Sequence, residues 1–212
     1  MAKAVIFDFD GVLVDSESHW SREQQAVYAR MVPGWKEEDL KTMKGLSLRD
    51  EHARLSVTHG LAMSFDEYER TFDSLAGAVY GTHATLVEGM RDVLETLRSV
   101  GVPMAIASSS NRAWIHIALK RFGLEDFFSA ICTWEDVRRG KPFPDVYLAA
   151  AARLLMEPGL CAVVEDSPAG IKAGKAAGMR VIAMRTAAYG ENDLREADAV
   201  ASDAAELSSL LA

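Results

Sequence analysis

Lys3-Ala-Val-Ile-Phe7-Asp8-Phe-Asp10-Gly11-Val-Leu-Val-Asp15-Ser16 is the stretch on which the rest of the chain is read. Its first five residues are largely apolar, with β-branched and aromatic side chains and no polar alternation, as a strand covered on both faces requires. The run then stops at two carboxylates separated by one residue, followed by a glycine. Such a strand belongs in the middle of a parallel sheet, where ligands gather beyond the carboxyl ends of the strands. Three later stretches have the same character, Val102 to Ala107, Ala162 to Glu165 and Arg180 to Met184, with a shorter one at Ala130 to Thr133. Between them lie helical patterns: Met90, Val93, Leu94 and Leu97 ahead of Gly101, and Ile115, Ala118, Leu119 and Phe122 ahead of Gly123. Alternating strands and helices from residue 88 onward predict an α/β fold built on a doubly wound, Rossmann-like parallel sheet.

Residues 17–87 break this rhythm, with helical patterns and no convincing strand. The clearest is the capping box Ser64-Phe-Asp-Glu67, which leads into Phe65, Tyr68, Phe72, Leu75 and Val79 on one helix face. The expected organisation is an α/β core of residues 1–16 and 88–212, with a helical cap of residues 17–87 inserted after the first strand. Hinges are expected at Val14 to Ser18 and Thr85 to Gly89.

With 212 residues, 49% hydrophobic and 25% charged, the chain can bury a core without disulfides. Its 23 basic residues against 31 acidic ones leave a net charge of −8, which argues against a nucleic-acid partner. Cys132 and Cys161 lack the spacing of a zinc site or a disulfide framework, which fits a reducing cytoplasm. The apolar start meets Asp8 too soon for a signal peptide, and no apolar run reaches the ~18 residues of a membrane span. Nothing demands more than a monomer.

Four short elements fall at or just after predicted strand ends. Asp8 and Asp10 point the same way if the strand continues, or flank one pocket if the chain turns at Gly11. Ser108-Ser-Ser-Asn111 places hydroxyls before a helix, an arrangement that suits both capping and an anion. Gly140-Lys141-Pro-Phe-Pro144-Asp145 holds a lysine in a loop stiffened by prolines. Glu165-Asp166-Ser167 caps an apolar strand ahead of Gly170, Gly174 and Gly178, whose spacing of four predicts a flat helix face for close packing. Neither GxGxxG nor GxxxxGK[ST] is present, so nucleotide-binding readings lose their support.

A sheet that gathers Asp8, Asp10, Glu165 and Asp166 around Lys141 concentrates negative charge that repels itself unless neutralised. A hard divalent cation resolves this: if Asp10 keeps its proton, the remaining acids, the lysine and one Mg²⁺ sum to zero. Mg²⁺ suits a site of a few carboxylates, waters and a substrate phosphate.

Asp8-x-Asp10-Gly-Val, Ser108, Lys141 and Glu165-Asp166, in this order and with a helical insert after the first motif, resemble the haloacid dehalogenase superfamily of hydrolases. Asp15-Ser16 and Gly140-Lys-Pro-x-Pro-Asp145 are similar to the branch that holds beta-phosphoglucomutase and small sugar-phosphate phosphatases. The resemblance implies Asp8 as the nucleophile that forms an aspartyl-phosphate and Asp10 as acid and base. It implies Ser108 and Lys141 on the phosphoryl oxygens, with Gly11, Ser109 and Asn111 around the same group. Mg²⁺ would be held by Asp8, the Asp10 backbone carbonyl and Asp166, with Glu165 at or just behind the ion. The acid at Asp10 disfavours a dehalogenase, and the absence of lysine from residues 45 to 90 disfavours a phosphonatase with a Schiff-base lysine.

The expected activity is Mg²⁺-dependent hydrolysis of a small phosphorylated metabolite, a sugar or polyol phosphate. The alternative is a phosphomutase. Lys44-Gly45-Leu-Ser47-Leu-Arg49 resembles the mutase's substrate loop with its arginine displaced by one residue, and Trp20 stands where a histidine is expected. Trp20, Gly45, Ser47 and Arg49 are accordingly candidate substrate contacts. A third reading, a non-catalytic phospho-accepting or binding module, conflicts with the acceptor's place on the first strand and with the size of the insert.

Overall fold

The computed structural model describes residues 2–43 and 45–212. The chain opens with β1 (Ala4–Phe7) and passes through a short strand, β2 (Val14–Asp15), into helices α1 (Glu17–Met31), α2 (Leu48–His59) and α3 (Phe65–Ala78). It returns through β3 (Thr85–Leu86). Helices and strands then alternate: α4 (Met90–Ser99), β4 (Met104–Ser108), α5 (Arg112–Phe122), β5 (Ala130–Thr133), α6 (Asp145–Arg153) and β6 (Cys161–Glu165). The chain ends with α7 (Pro168–Ala176), β7 (Arg180–Met184), α8 (Glu191–Leu194), β8 (Ala199–Ala201) and α9 (Ala204–Leu211).

Among the described residues, six strands form one sheet in the order β5-β4-β1-β6-β7-β8. Every pairing in it is parallel. β1 is central, and all four of its residues are buried. Its side chains alternate between the two faces. Val5 and Phe7 join a cluster with Met90, Leu94 and Leu119, and Ala4 and Ile6 join one with Val146, Tyr147 and Ile171. The first cluster continues into Trp20, Tyr28 and Phe72, so one apolar core runs from the sheet into the inserted helices. From β1 the sheet extends to β4 on one side and β6 on the other, which opens a crevice at the carboxyl ends of these three strands.

The local signals act as the sequence predicts at several points. In α3 the Ser64 hydroxyl accepts from the Glu67 N–H while the Glu67 carboxylate accepts from the Ser64 N–H. α5 ends at Gly123, whose φ of 63° suits a residue without Cβ. Elsewhere the structure differs. β4 begins at Met104 rather than Val102, and β8 is a further strand. β2 and β3 pair antiparallel where the insert leaves and rejoins the sheet, Val14 opposite Leu86 and Asp15 opposite Thr85. These strands are two or three residues long, too short to show a period. Gly170 and Gly174 lie in α7, but Gly178 falls beyond its end with φ 75° and open space around it, so it makes a turn rather than a packing face. After α3, Val79–His83 forms a π-helical turn, a feature frequent at functional sites. Among the described residues no helix is long and apolar enough to cross a membrane.

Candidate active site

Asp8 follows β1 directly, and its N–H donates to the Val164 carbonyl at 2.8 Å, which pins it beside β6. The Lys141 ammonium lies 2.7 Å from Asp8 Oδ1 and 2.5 Å from Glu165 Oε1, with all three residues buried. Glu165 is saturated with donors. Its Oε1 also accepts from the Tyr147 hydroxyl at 2.8 Å, and its Oε2 accepts from the N–H groups of Asp166 and Ser167 and from the Ser167 hydroxyl. A Cβ at position 170 would overlap the Glu165 carboxylate, which explains glycine there.

Burial favours the neutral form of every acid here, but the outcomes differ. It pushes Asp8 well above the usual carboxylate range, with Lys141 pulling in the opposite direction. For Glu165, burial is outweighed by Lys141 and the surrounding donors, which hold it below the usual range. Lys141 is itself opposed by burial, yet its two carboxylates keep it raised and charged.

The chain turns at Gly11, whose N–H donates to the Val14 carbonyl and whose φ is 80°. A Cβ there would overlap the Asp166 carboxylate. The turn sets Asp10 beside the pocket rather than along the strand. Its Oδ1 accepts from the hydroxyls of Ser16 at 2.5 Å and Tyr80 at 2.7 Å, and its Oδ2 from that of Ser110 at 2.6 Å. Burial raises its pKa, while the three hydroxyls pull it back.

A cavity of ≈ 160 Å³ lies at this crevice, between the strand ends and the inserted helices. Asp8, Asp10, Gly11, Ser108, Lys141 and Asp166 line it from the sheet. Ser109 also lines it and donates to the Gly45 carbonyl at 3.1 Å. Trp20 and Gly45 line it from the insert. Trp20 donates to the Tyr80 hydroxyl at 2.9 Å and stacks on Trp114 with ring centroids 5.1 Å apart. Three expected contacts lie elsewhere. Asn111 is buried between Glu69 and Trp134, hydrogen bonding both, so it joins insert to core. Ser47 caps α2. Arg49 stacks over Trp134 at 4.4 Å and donates to the Val137 carbonyl. Lys44 lies outside the described residues.

Several participants carried no signal of their own in the sequence. Tyr80 is 70 residues from the aspartate it touches, and Tyr147 reads as one more apolar position of α6. Ser110 was within reach, as a member of the Ser108-Ser-Ser-Asn111 run. The insert is tied down over the cavity by Trp114 donating to Asp73 at 2.7 Å and by Arg121 donating to the carbonyls of Tyr80 and Ala84.

Asp8, Glu165 and Asp166 each offer a carboxylate oxygen, all within 4.8 Å of one another and all buried. Three acids against one lysine leave net negative charge, and an all-oxygen donor set of this size fits Mg²⁺. Both Glu165 oxygens already accept hydrogen bonds.

A sequence profile described as haloacid dehalogenase-like hydrolase matches residues 5–184. The validoxylamine A 7'-phosphate phosphatase of Streptomyces hygroscopicus subsp. limoneus is 31% identical over 208 residues, spanning 98% of this chain and 96% of that protein. Hexitol phosphatase B of Escherichia coli K12 is 33% identical over 196 residues, 91% of this chain and 87% of that one. The crystal structure of CbbY from Rhodobacter sphaeroides in complex with phosphate shares the fold, with a TM-score of 0.86 at 23% identity over 98% of this chain and 96% of that one.

Proposed function

The chain belongs to the haloacid dehalogenase-like hydrolase family, and from that membership and the geometry of the cavity we propose a Mg²⁺-dependent phosphatase of a small sugar or polyol phosphate. The carrying observation is Lys141, buried between Asp8 and Glu165, which keeps a strongly desolvated Asp8 carboxylate available as a nucleophile. Lys141 grips Asp8 Oδ1, and the other oxygen attacks phosphorus in line. The new Asp8 O–P bond forms as the bond from phosphorus to the leaving oxygen breaks. Asp10 gives its proton to the departing alkoxide, then takes one from the water that hydrolyses the aspartyl-phosphate, releasing inorganic phosphate and restoring Asp8. The three hydroxyls around Asp10 can accept as well as donate, so they hold its carboxyl in either charge state.

Asp8, Asp166 and the Asp10 main-chain carbonyl would hold the ion, with Glu165 behind them fixing Lys141. When bound, Mg²⁺ supplies positive charge that offsets repulsion between a phosphate dianion and Asp8. Ser108 and Lys141 hold the phosphoryl oxygens.

In this reading residues 1–16 and 88–212 are the catalytic core, and residues 17–87 are a lid that excludes water and selects the leaving group. The protein works as a monomer in the cytoplasm. A mutase needs further cations for a second phosphate, and among the described residues that line the cavity Lys141 is the single cation. Relatives named as phosphatases accord with this choice, and a relative named beta-phosphoglucomutase, 30% identical over 186 residues, is the reason isomerisation is measured in the test. The test is a phosphate-release screen with Mg²⁺ over sugar, polyol, nucleotide and glycolate phosphates, with hexose 1-phosphate isomerisation measured alongside. Release from a sugar or polyol phosphate is expected. Isomerisation faster than release, or no turnover on any member of the panel, overturns the proposal.

A further inference from the structure

We propose that Glu51, on the lid, is the group that reads the leaving group: its carboxyl hydrogen bonds the hydroxyls of a neutral polyol or sugar and disfavours leaving groups that carry a second anion. This rests on the phosphatase reading above and deepens it.

Glu51 sits in the first turn of α2 on the same face as Leu48 and Leu55, so it occupies the apolar stripe of its helix. It is 4% exposed. Its Oε2 accepts from the hydroxyls of Tyr28 at 2.7 Å and Tyr68 at 3.0 Å, and these hydroxyls lie 3.1 Å apart. Among the described residues no hydrogen bond falls on Oε1. Among the described residues no fully enclosed side-chain oxygen lacks a partner, and Glu51 lines the catalytic cavity. Oε1, the unbonded oxygen of a residue that lines the cavity, is the atom we assign to the substrate's hydroxyl.

Packing alone does not account for this carboxylate. The two tyrosine hydroxyls are close enough to pair without it, and a buried acid costs free energy that a leucine at this position would not. Burial pushes its pKa up to about 7, so the group can accept from a hydroxyl or donate to one near neutrality. Beside it the cavity is walled by Trp20, Met43, Leu48 and Trp114. Ser21 and Gln24 line it as well, and aromatic and aliphatic walls with a few polar groups suit the C–H faces and hydroxyls of a polyol. A second phosphate or carboxylate would instead meet a buried acid of like charge.

The experiment compares wild type with Glu51→Gln and Glu51→Asp on a hexitol phosphate, p-nitrophenyl phosphate and phosphoglycolate, with melting temperatures recorded for each protein. Gln keeps an oxygen for the two tyrosines, and Asp keeps the charge but withdraws it from the cavity. Expected is a loss of roughly 10-fold to 100-fold in kcat/KM for the hexitol phosphate, carried mainly by KM. That loss should exceed the loss on p-nitrophenyl phosphate by at least about tenfold, and Glu51→Gln should improve the relative rate on phosphoglycolate. Equal losses on all three substrates, or wild-type kinetics on the hexitol phosphate, overturn the assignment. Calorimetric binding of the hexitol phosphate in Mg²⁺, with Asp8→Asn added to each of the three proteins, reads the same contact without turnover. Binding weakened in both variants with no catalysis in any protein that retains Asp8 would keep the contact and discard the phosphatase. Equal affinity in all three proteins would discard the contact.

Discussion

Replacing Lys141 with methionine removes one ammonium and leaves two carboxylates facing the space it filled. The ammonium lies 2.7 Å from Asp8 and 2.5 Å from Glu165, and the side chains of Lys141, Asp8 and Glu165 are 2%, 11% and 0% exposed. Water therefore screens these charges very little. Removing one partner of a buried pair costs about 3–5 kcal/mol, because the charge left behind is neither solvated nor paired. Methionine fills a similar volume, so a cavity adds little to that figure. The sign with pH follows from the same geometry. Without the lysine, both acids have folded-state pKa values above those of the unfolded chain. Their contribution to stability is then complete below the unfolded value, near about 4, and is lost as pH rises through the folded value. The deficit relative to wild type should accordingly be small at about pH 4 and reach about 3–5 kcal/mol at about pH 7.5. Urea unfolding in EDTA at the two pH values measures it. Added Mg²⁺ should recover part of the deficit at the higher pH by placing a cation among Asp8 and Asp166. A deficit below about 1 kcal/mol at the higher pH, the size of an exposed pair, or one that does not change with pH, would refute the view that Lys141 balances these acids.

Burial raises Glu51 from 4.5 to about 7, so its contribution to stability is complete below the lower value and fades as pH rises through the upper one. Glutamine does not titrate, so Glu51→Gln should gain about 3 kcal/mol relative to wild type between about pH 4.5 and pH 8.5 in urea melts, and parallel curves would contradict the shift. Tyr80→Phe removes one of the three donors to Asp10; kcat should fall roughly tenfold and the pKa reporting Asp10 in the pH–rate profile should move up, whereas an unmoved profile would deny the contact a role. In Gly174→Ala the new Cβ would lie 2.7 Å from Val181 Cγ2 and 3.4 Å from Val163 Cγ1. The crowding, about 1–3 kcal/mol, should outweigh the better helix propensity of alanine and lower the melting temperature; an unchanged or raised value would show that α7 and the sheet can part freely.

The parts legible in the sequence are those whose local pattern has one physical solution. Lys3 to Phe7 can only be a strand covered on both faces, and acids placed at the ends of such strands converge in any doubly wound sheet. Asp8, Glu165 and Asp166 are readable on that ground, whereas Lys141 is singled out by its proline-stiffened loop and by the family resemblance. β2, β3 and β8 are not readable, because two or three residues establish no period and their pairing is fixed by the rest of the fold. In the inserted helices the difficulty is different. Its helices bury core residues and cavity residues on one face, so Leu48, Glu51 and Leu55 form a single stripe. A search for a cation to hold substrate leads to Arg49, which points instead at Trp134. The available signal was an acid on an apolar stripe at position 51. Tyr80 gave no such signal, since its partner lies in another part of the chain.

In the proposed reaction the phosphoryl group rests covalently on Asp8 during turnover. Acid-quenched reactions of the Mg²⁺-loaded enzyme with a radiolabelled substrate, followed by peptide mapping, address it directly for wild type and Asp8→Asn. Label is expected on the wild-type peptide that carries Asp8, and neither label nor turnover in the variant. Undiminished turnover by Asp8→Asn, or label on a different residue, would contradict that reaction.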